Sequence, residues 1–113
     1  MSAITTHVLD TSRGCPAQGI TAVLEFKTAE GWKELARGLT NADGRILDLV
    51  PKGKKIDPGV YRLTFETKPY LEGHQIAGFY PYVPIVFEVR DSEQHYHVPL
   101  LLSPFGYSTY RGS

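Results

Sequence analysis

The sequence predicts an all-β fold: a two-sheet antiparallel β-sandwich of seven or eight strands, with room for one short helix. Three observations carry this. Apolar and polar residues alternate with period two in several short runs, turn formers punctuate the chain about every ten residues, and little repeats at helical period. Length and composition agree, because 113 residues at 42% apolar and 21% charged suit a single globular domain spanning 1–113. A chain of this size buries about two-thirds of its surface on folding, so it can build a core without disulfide staples.

The elements follow in order. Ala22, Leu24 and Phe26 alternate with Thr21, Val23, Glu25 and Lys27 in the first clear strand. Glu30-Gly31 turns the chain into Trp32–Arg37, where Leu35 and Ala36 lie among charged neighbours. Thr40-Asn41-Ala42-Asp43-Gly44 is dense in turn formers and leads into a strand at Arg45–Leu49. Pro51–Lys55 reads as an exposed loop and Asp57-Pro58-Gly59 as a tight turn before Tyr61, Leu63 and Phe65, the cleanest alternation in the chain. Tyr70–Ile76 can hold one or two helical turns, although Gly73 weakens them. Val83, Ile85, Phe87 and Val89 alternate again, with Pro81 and Pro84 confining that strand to an edge or to pairing that begins after Pro84. Tyr96–Leu102 and a final segment from Tyr107 to Ser113 complete the set.

Charge and composition narrow the function. Twelve Lys+Arg balance twelve Asp+Glu, giving no net charge, which speaks against a protein that binds nucleic acid by neutralising phosphates. The same neutrality removes long-range repulsion between copies of the chain. The single cysteine, Cys15, cannot close an intrachain disulfide, which suits a reducing compartment. The longest nearly apolar stretches, Tyr80–Phe87 and Val98–Leu102, are too short to cross a bilayer. The first residues have neither a basic nor an apolar signal region.

Four histidines carry what chemistry the residue pattern offers: His7, His74, His95 and His97. On a strand His95 and His97 share one side with Pro99 and Leu101, while Tyr96, Val98 and Leu100 face the other way into the core. That outward histidine face admits three readings: solvated surface, a zinc site completed by a third ligand such as His7, or a metal-free acid–base histidine. The spacing does not choose among them. Cys15 sits in a loop-like Gly-Cys-Pro-Ala with only Arg13 nearby to activate it. Asp10, Asp43 and Asp48 could pair for acid chemistry, but a turn aspartate such as Asp43 ordinarily caps backbone. Lys52, Lys54 and Lys55 read as a solvated loop, and Tyr70, Tyr80, Tyr82, Tyr96, Tyr107 and Tyr110 mostly as packing residues.

Three blocks of sequence resemble the transthyretin-related proteins, in particular their 5-hydroxyisourate hydrolase branch. They are Thr6-His7-Val8-Leu9-Asp10-Thr11-Ser12-Arg13-Gly14 with Pro16-Ala17, Thr40-Asn41-Ala42-Asp43-Gly44-Arg45, and the stretch from His95 to Ser113 ending Tyr-Arg-Gly-Ser. The terminal tetrapeptide is the most specific of them. The resemblance implies a transthyretin-like two-sheet β-sandwich with a short helix at Tyr70–Ile76. It implies a homotetramer with active sites in a channel at the dimer–dimer interface. It also implies metal-free and cofactor-free hydrolysis of 5-hydroxyisourate to 2-oxo-4-hydroxy-4-carboxy-5-ureidoimidazoline in urate degradation.

Carried over by motif, the family's functional residues fall on His7, Arg45, His97, Tyr110 and Ser113, with His7, Arg45 and Tyr110 also binding substrate. Cys15 departs from many relatives at a position the mechanism does not use. His7 or His97 would serve as general base, Arg45 would stabilise the oxyanion, and Tyr110 and Ser113 would donate to ring carbonyls. A small-molecule substrate is then the expected partner, with no nucleic acid and no membrane. The competing readings are a non-catalytic carrier of an aromatic ligand, a zinc hydrolase using His7, His95 and His97, and, last, an immunoglobulin-like adhesion module. Some relatives are peroxisomal and some bacterial ones periplasmic; with no Ser-Lys-Leu ending and no N-terminal extension, a bacterial cytoplasm is the simplest expectation.

Overall fold

The four clearest alternating runs all become strands in the computed structural model, which describes residues 2–113. In chain order the strands are β1 (Ile4–Asp10), β2 (Cys15–Pro16), β3 (Thr21–Thr28), β4 (Gly31–Leu39), β5 (Arg45–Ile46) and β6 (Gly59–Phe65). The helix α1 (Thr67–Gly73) follows, then β7 (Val83–Val89), β8 (Tyr96–Ser103) and β9 (Gly106–Thr109). One sheet runs β2-β1-β8-β9 with β5 also paired to β1, and the other runs β4-β3-β6-β7.

Inward residues of the two sheets meet in one core. Ile4, Val8, Leu100 and Leu102 come from the first sheet, and Leu24, Leu63, Phe65, Val83 and Val89 from the second, each nearly or fully buried. Tyr61 packs between Phe26, edge-on at 4.9 Å, and Phe87, stacked at 5.8 Å. Such aromatic pairs add to what area burial alone supplies. Of the two placements the prolines allow, β7 takes the edge: Pro84 already lies opposite Thr64 of β6, and its missing N–H interrupts no ladder on the outer side.

Five details depart from expectation. The β1–β8 pair is parallel, from Ile4 opposite Tyr96 to Asp10 opposite Leu102, within an otherwise antiparallel sandwich. The two strands are joined through most of the chain, so no hairpin dictates their relative direction. The strand expected at Arg45–Leu49 is only Arg45–Ile46, because Leu49 and Val50 leave the sheet to plug the core. The helix lies three residues earlier than Tyr70–Ile76. Its buried face is Thr67, Tyr70 and Leu71, Pro69 falls in the first turn where an N–H has no intrahelical partner, and Gly73 ends it. Of the six tyrosines read mostly as packing residues, only Tyr70 and Tyr96 are buried; Tyr80, Tyr82 and Tyr107 are exposed on the isolated chain, as is Tyr110, which the resemblance places in the site. Finally, the cap in the 40–44 turn is Asn41 and not Asp43, since the Asn41 Oδ1 accepts from the backbone N–H groups of Asp43 and Arg45. Among the described residues no helix is long and apolar enough to cross a membrane.

Candidate active site

Side chains from β1, β5, β8 and the tail after β9 share the outward face of the first sheet, and pairing register sets which of them meet there. His7 of β1 lies opposite Arg45 of β5 on one side and Pro99 of β8 on the other. One row along, Thr5 of β1 lies opposite His97, which in turn lies opposite Gly112 beyond the end of β9. Directly opposed residues project to the same face, so Arg45, His7, Thr5 and His97 form one cluster. Tyr110 falls opposite Pro99, because equal numbers of residues separate the Leu100–Thr109 and His97–Gly112 pairs. It also borders a cleft against β7, with Phe87 and Arg111.

Local sequence explains how Arg45 reaches this face. Asn41 ties off the turn, and Gly44 adopts a left-handed φ of 74°. A Cβ at Gly44 would collide with the Val8 carbonyl oxygen, so only glycine lets the turn close onto β1. The Val8 N–H donates to the Gly44 carbonyl at 2.7 Å. Arg45 is thereby delivered beside His7.

The rings are held differently. His95 Nδ1 lies 2.7 Å from the Ser2 carbonyl oxygen, and its Nε2 lies 3.0 Å from Thr5 Oγ1. The same Thr5 Oγ1 lies 2.8 Å from His97 Nδ1. Gly112 closes the other side of the His97 ring, its N–H donating to the His97 carbonyl at 2.8 Å. Burial first, and the Arg45 guanidinium second, push both His7 and His97 below the ordinary histidine value. His95 and His7 add to the effect on His97. The Asp43 backbone and carboxylate favour the charged form of His7 but are outweighed, so Arg45 stands beside two imidazoles held toward their neutral forms, a pairing suited to accepting a proton while stabilising negative charge.

The structure thus brings His7, Arg45 and His97 together, sets Tyr110 one strand further along the same row, and leaves Ser113 exposed just past Gly112. His74 is exposed beyond α1, against the Tyr70 ring and near Arg13. Asp10 is buried at the far end of β1, where it accepts from Ser12, Arg13 and Tyr70 and faces no other aspartate. Cys15 pairs with Asp10 at that same end, remote from His97. Both ring nitrogens of His95 are engaged, so it offers no lone pair to a cation, and among the described residues no three metal-binding side chains converge. Sequence reasoning passed over Thr5 and Gly112. Thr5 is signalled only by its position two residues before His7, and Gly112 only by its place in the terminal motif.

Residues 4–112 match the HIUase/Transthyretin family. The chain is 47% identical over 110 residues to the 5-hydroxyisourate hydrolase of Salmonella dublin, covering 97% of this chain and 80% of that protein. The structure of Klebsiella pneumoniae 5-hydroxyisourate hydrolase superposes with a TM-score of 0.85 at 36% identity, covering 99% of this chain and 100% of that one. The crystal structure of transthyretin from Sparus aurata superposes with a TM-score of 0.92 at 33% identity, covering 99% and 97%. Backbone shape is thus shared by a protein named for hydrolysis and one that is not, and the side chains must separate them.

Proposed function

The chain belongs to the HIUase/transthyretin family, and from that premise we propose that it is a hydrolase that opens 5-hydroxyisourate to 2-oxo-4-hydroxy-4-carboxy-5-ureidoimidazoline. The observation that carries this reading is the convergence of His7, Arg45 and His97 on one sheet face. A carrier of an aromatic ligand has no use for two neutral imidazoles beside a guanidinium. A hydrolase needs all three.

In this reading a neutral imidazole takes a proton from water as the water oxygen bonds to the acyl carbon of the ring. The ring C–N bond then breaks, the departing nitrogen takes up a proton, and a carboxylate is left. Arg45, with its planar donor fork, holds the oxygen-rich ring and meets the developing oxyanion, a contribution of about 3 kcal/mol per donor in comparable sites. Tyr110 and Ser113 donate to ring carbonyls. One chain supplies only an open floor for this chemistry, since Tyr110 is 58% exposed. Enclosure then comes from further copies, in a homotetramer whose channel brings two such faces together. No metal or organic cofactor takes part.

The test is a coupled absorbance assay in which urate oxidase generates 5-hydroxyisourate and its decay is followed with and without the protein, each with and without EDTA. Accelerated decay that survives EDTA is the expected result. Acceleration lost on chelation transfers the reading to a zinc hydrolase, and no acceleration by a tetrameric protein transfers it to a carrier. Deleting Tyr110–Ser113, which lies beyond β9 and is mostly exposed, is expected to abolish turnover and leave the far-ultraviolet circular dichroism of the sandwich intact.

A further inference from the structure

The hydrogen-bonded chain that runs from Ser2 through His95 and Thr5 to His97 has a direction, and its direction has a chemical consequence. A carbonyl oxygen only accepts, so the 2.7 Å contact between His95 Nδ1 and the Ser2 carbonyl requires a proton on Nδ1. A neutral His95 then presents a bare lone pair at Nε2, 3.0 Å from Thr5 Oγ1. The Thr5 hydroxyl has one proton, and it goes to that lone pair. The remaining lone pairs of Thr5 Oγ1 can then only accept from its second partner, His97 Nδ1 at 2.8 Å. His97 must therefore carry its proton on Nδ1, which leaves Nε2 bare.

The reverse arrangement fails on the same distances. If Thr5 donated to His97, the Thr5 oxygen and His95 Nε2 would face each other across 3.0 Å with no proton between them. The anchor is firm as well. Ser2 is 3% exposed and its hydroxyl donates to the Val50 carbonyl, while Thr5 is 4% exposed and fixed opposite His97 by the β1–β8 register. A histidine with one nitrogen so engaged has its tautomer set by that bond.

We propose that His95 and Thr5 are positioning residues which, anchored on the Ser2 carbonyl, hold His97 as the Nδ1–H tautomer and so present its bare Nε2 to the site as the proton acceptor. Free neutral histidine in water prefers the opposite tautomer, so this is a state the fold has to impose. The use made of the lone pair rests on the hydrolase reading above; the tautomer does not.

The two are separated by reading the tautomer directly. In protein labelled with 15N-histidine, long-range proton–nitrogen correlation spectra at a pH above the histidine titrations distinguish protonated from bare ring nitrogens. The expected wild-type result is Nδ1–H for both His95 and His97. In Thr5→Val, which keeps the shape and loses the hydroxyl, His97 reverts to the Nε2–H form. In His95→Phe the freed Thr5 hydroxyl donates to His97 Nδ1, and the proton again moves to Nε2. Both variants lower kcat about 100-fold or more, in keeping with loss of a positioned base, with KM changed less than threefold. Thr5→Ser keeps the hydroxyl, and recovers the Nδ1–H form and most of kcat relative to Thr5→Val.

An Nε2–H signal for His97 in the wild-type protein overturns the proposal, and needs no variant to fold. So does a tautomer switch that leaves kcat unchanged. An Nδ1–H signal in a protein that fails to hydrolyse 5-hydroxyisourate refutes the hydrolase reading and supports the relay.

Discussion

Gly112→Ala probes how tightly the candidate base is held. A Cβ at this position would lie 2.5 Å from His97 Cδ2 and 3.2 Å from both His97 Cγ and Pro99 Cγ. Carbon atoms in contact ordinarily lie about 3.5–4.0 Å apart, so the added methyl overlaps the imidazole by about 1 Å. Backbone strain is not the issue, because Gly112 is absent from the positive-φ residues. The ring cannot simply swing away, since Thr5 Oγ1 holds its Nδ1 at 2.8 Å on the other side. Two responses remain. Either the ring shifts by about 1 Å, a misplacement that in well-ordered sites costs about 100-fold in rate. Or the tail lifts, giving up the 2.8 Å bond from Gly112 N–H to the His97 carbonyl, worth about 1 kcal/mol, and taking Ser113 with it. Both lower kcat by about 100-fold while Tm falls by no more than about 5 °C, the shift that a loss of about 1 kcal/mol produces in a domain of this size. The assay is decay of enzymatically generated 5-hydroxyisourate, with thermal unfolding followed in parallel. A Gly112→Ala protein whose kcat stays within threefold of wild type would refute this account of His97 positioning.

Two further outcomes follow from the charges. In Arg45→Gln, kcat falls about 100- to 1,000-fold through loss of an oxyanion donor, and the acidic limb of the kcat/KM profile moves to higher pH. The sign is set by burial and the Arg45 charge, which together hold His7 and His97 below 6.5 in the fold. Removing the cation relieves the second cause and lets both rise, and an unmoved limb would separate Arg45 from the histidines. Those depressed values also mean that the unfolded chain binds protons more readily as pH falls below about 6.5, so wild-type stability declines there and Arg45→Gln declines less. At the far end of β1, burial and the Asp10 carboxylate push the Tyr70 hydroxyl up to about 12, while it donates to Asp10 Oδ2 at 2.7 Å. Burial alone would raise the Asp10 carboxyl, but hydrogen bonds from Ser12, Tyr70 and Arg13 overcome it and hold the group below its usual value. Tyr70→Phe strands one buried carboxylate oxygen, at a cost of about 1.5–3 kcal/mol. Wild-type Asp10 contributes stability that is present above about pH 3.8 and lost as pH falls toward its lower folded value; Tyr70→Phe raises that folded value, so the variant loses less on acidification and its deficit narrows below about pH 3.8. Denaturant titrations at pH 7 and pH 3, with kcat unchanged, check this.

Much of the fold was legible because period-two alternation survives wherever the inward residues are apolar, as in Tyr61, Leu63 and Phe65. β1 was not legible as a strand in its own right. Its inward positions include Thr6 and Asp10, buried polar residues whose partners, the Val98 carbonyl and Tyr70, come from distant segments. A polar residue satisfied by tertiary hydrogen bonds looks in sequence like a solvent-facing one. The same reasoning accounts for Thr5, whose importance lies in two histidines some ninety residues away. The tyrosines erred the other way. An aromatic side chain reads as core, yet Tyr80, Tyr82 and Tyr107 lie on the outside of a single chain.

Local physics in the chain was enough for the all-β class, the turn at Thr40–Gly44, the confinement of the proline-bearing strand to an edge or to pairing beyond Pro84, and the common face of His95 and His97. Each depends only on neighbours a few residues apart. The motif blocks around His7, Arg45 and His97 named the residues but not their arrangement. Their meeting depends on the parallel pairing of β1 with β8, on a glycine turn that lets β5 close onto β1, and on a threonine between two imidazoles. Those are contacts between segments far apart in the chain, and their geometry exists only once both sheets have packed.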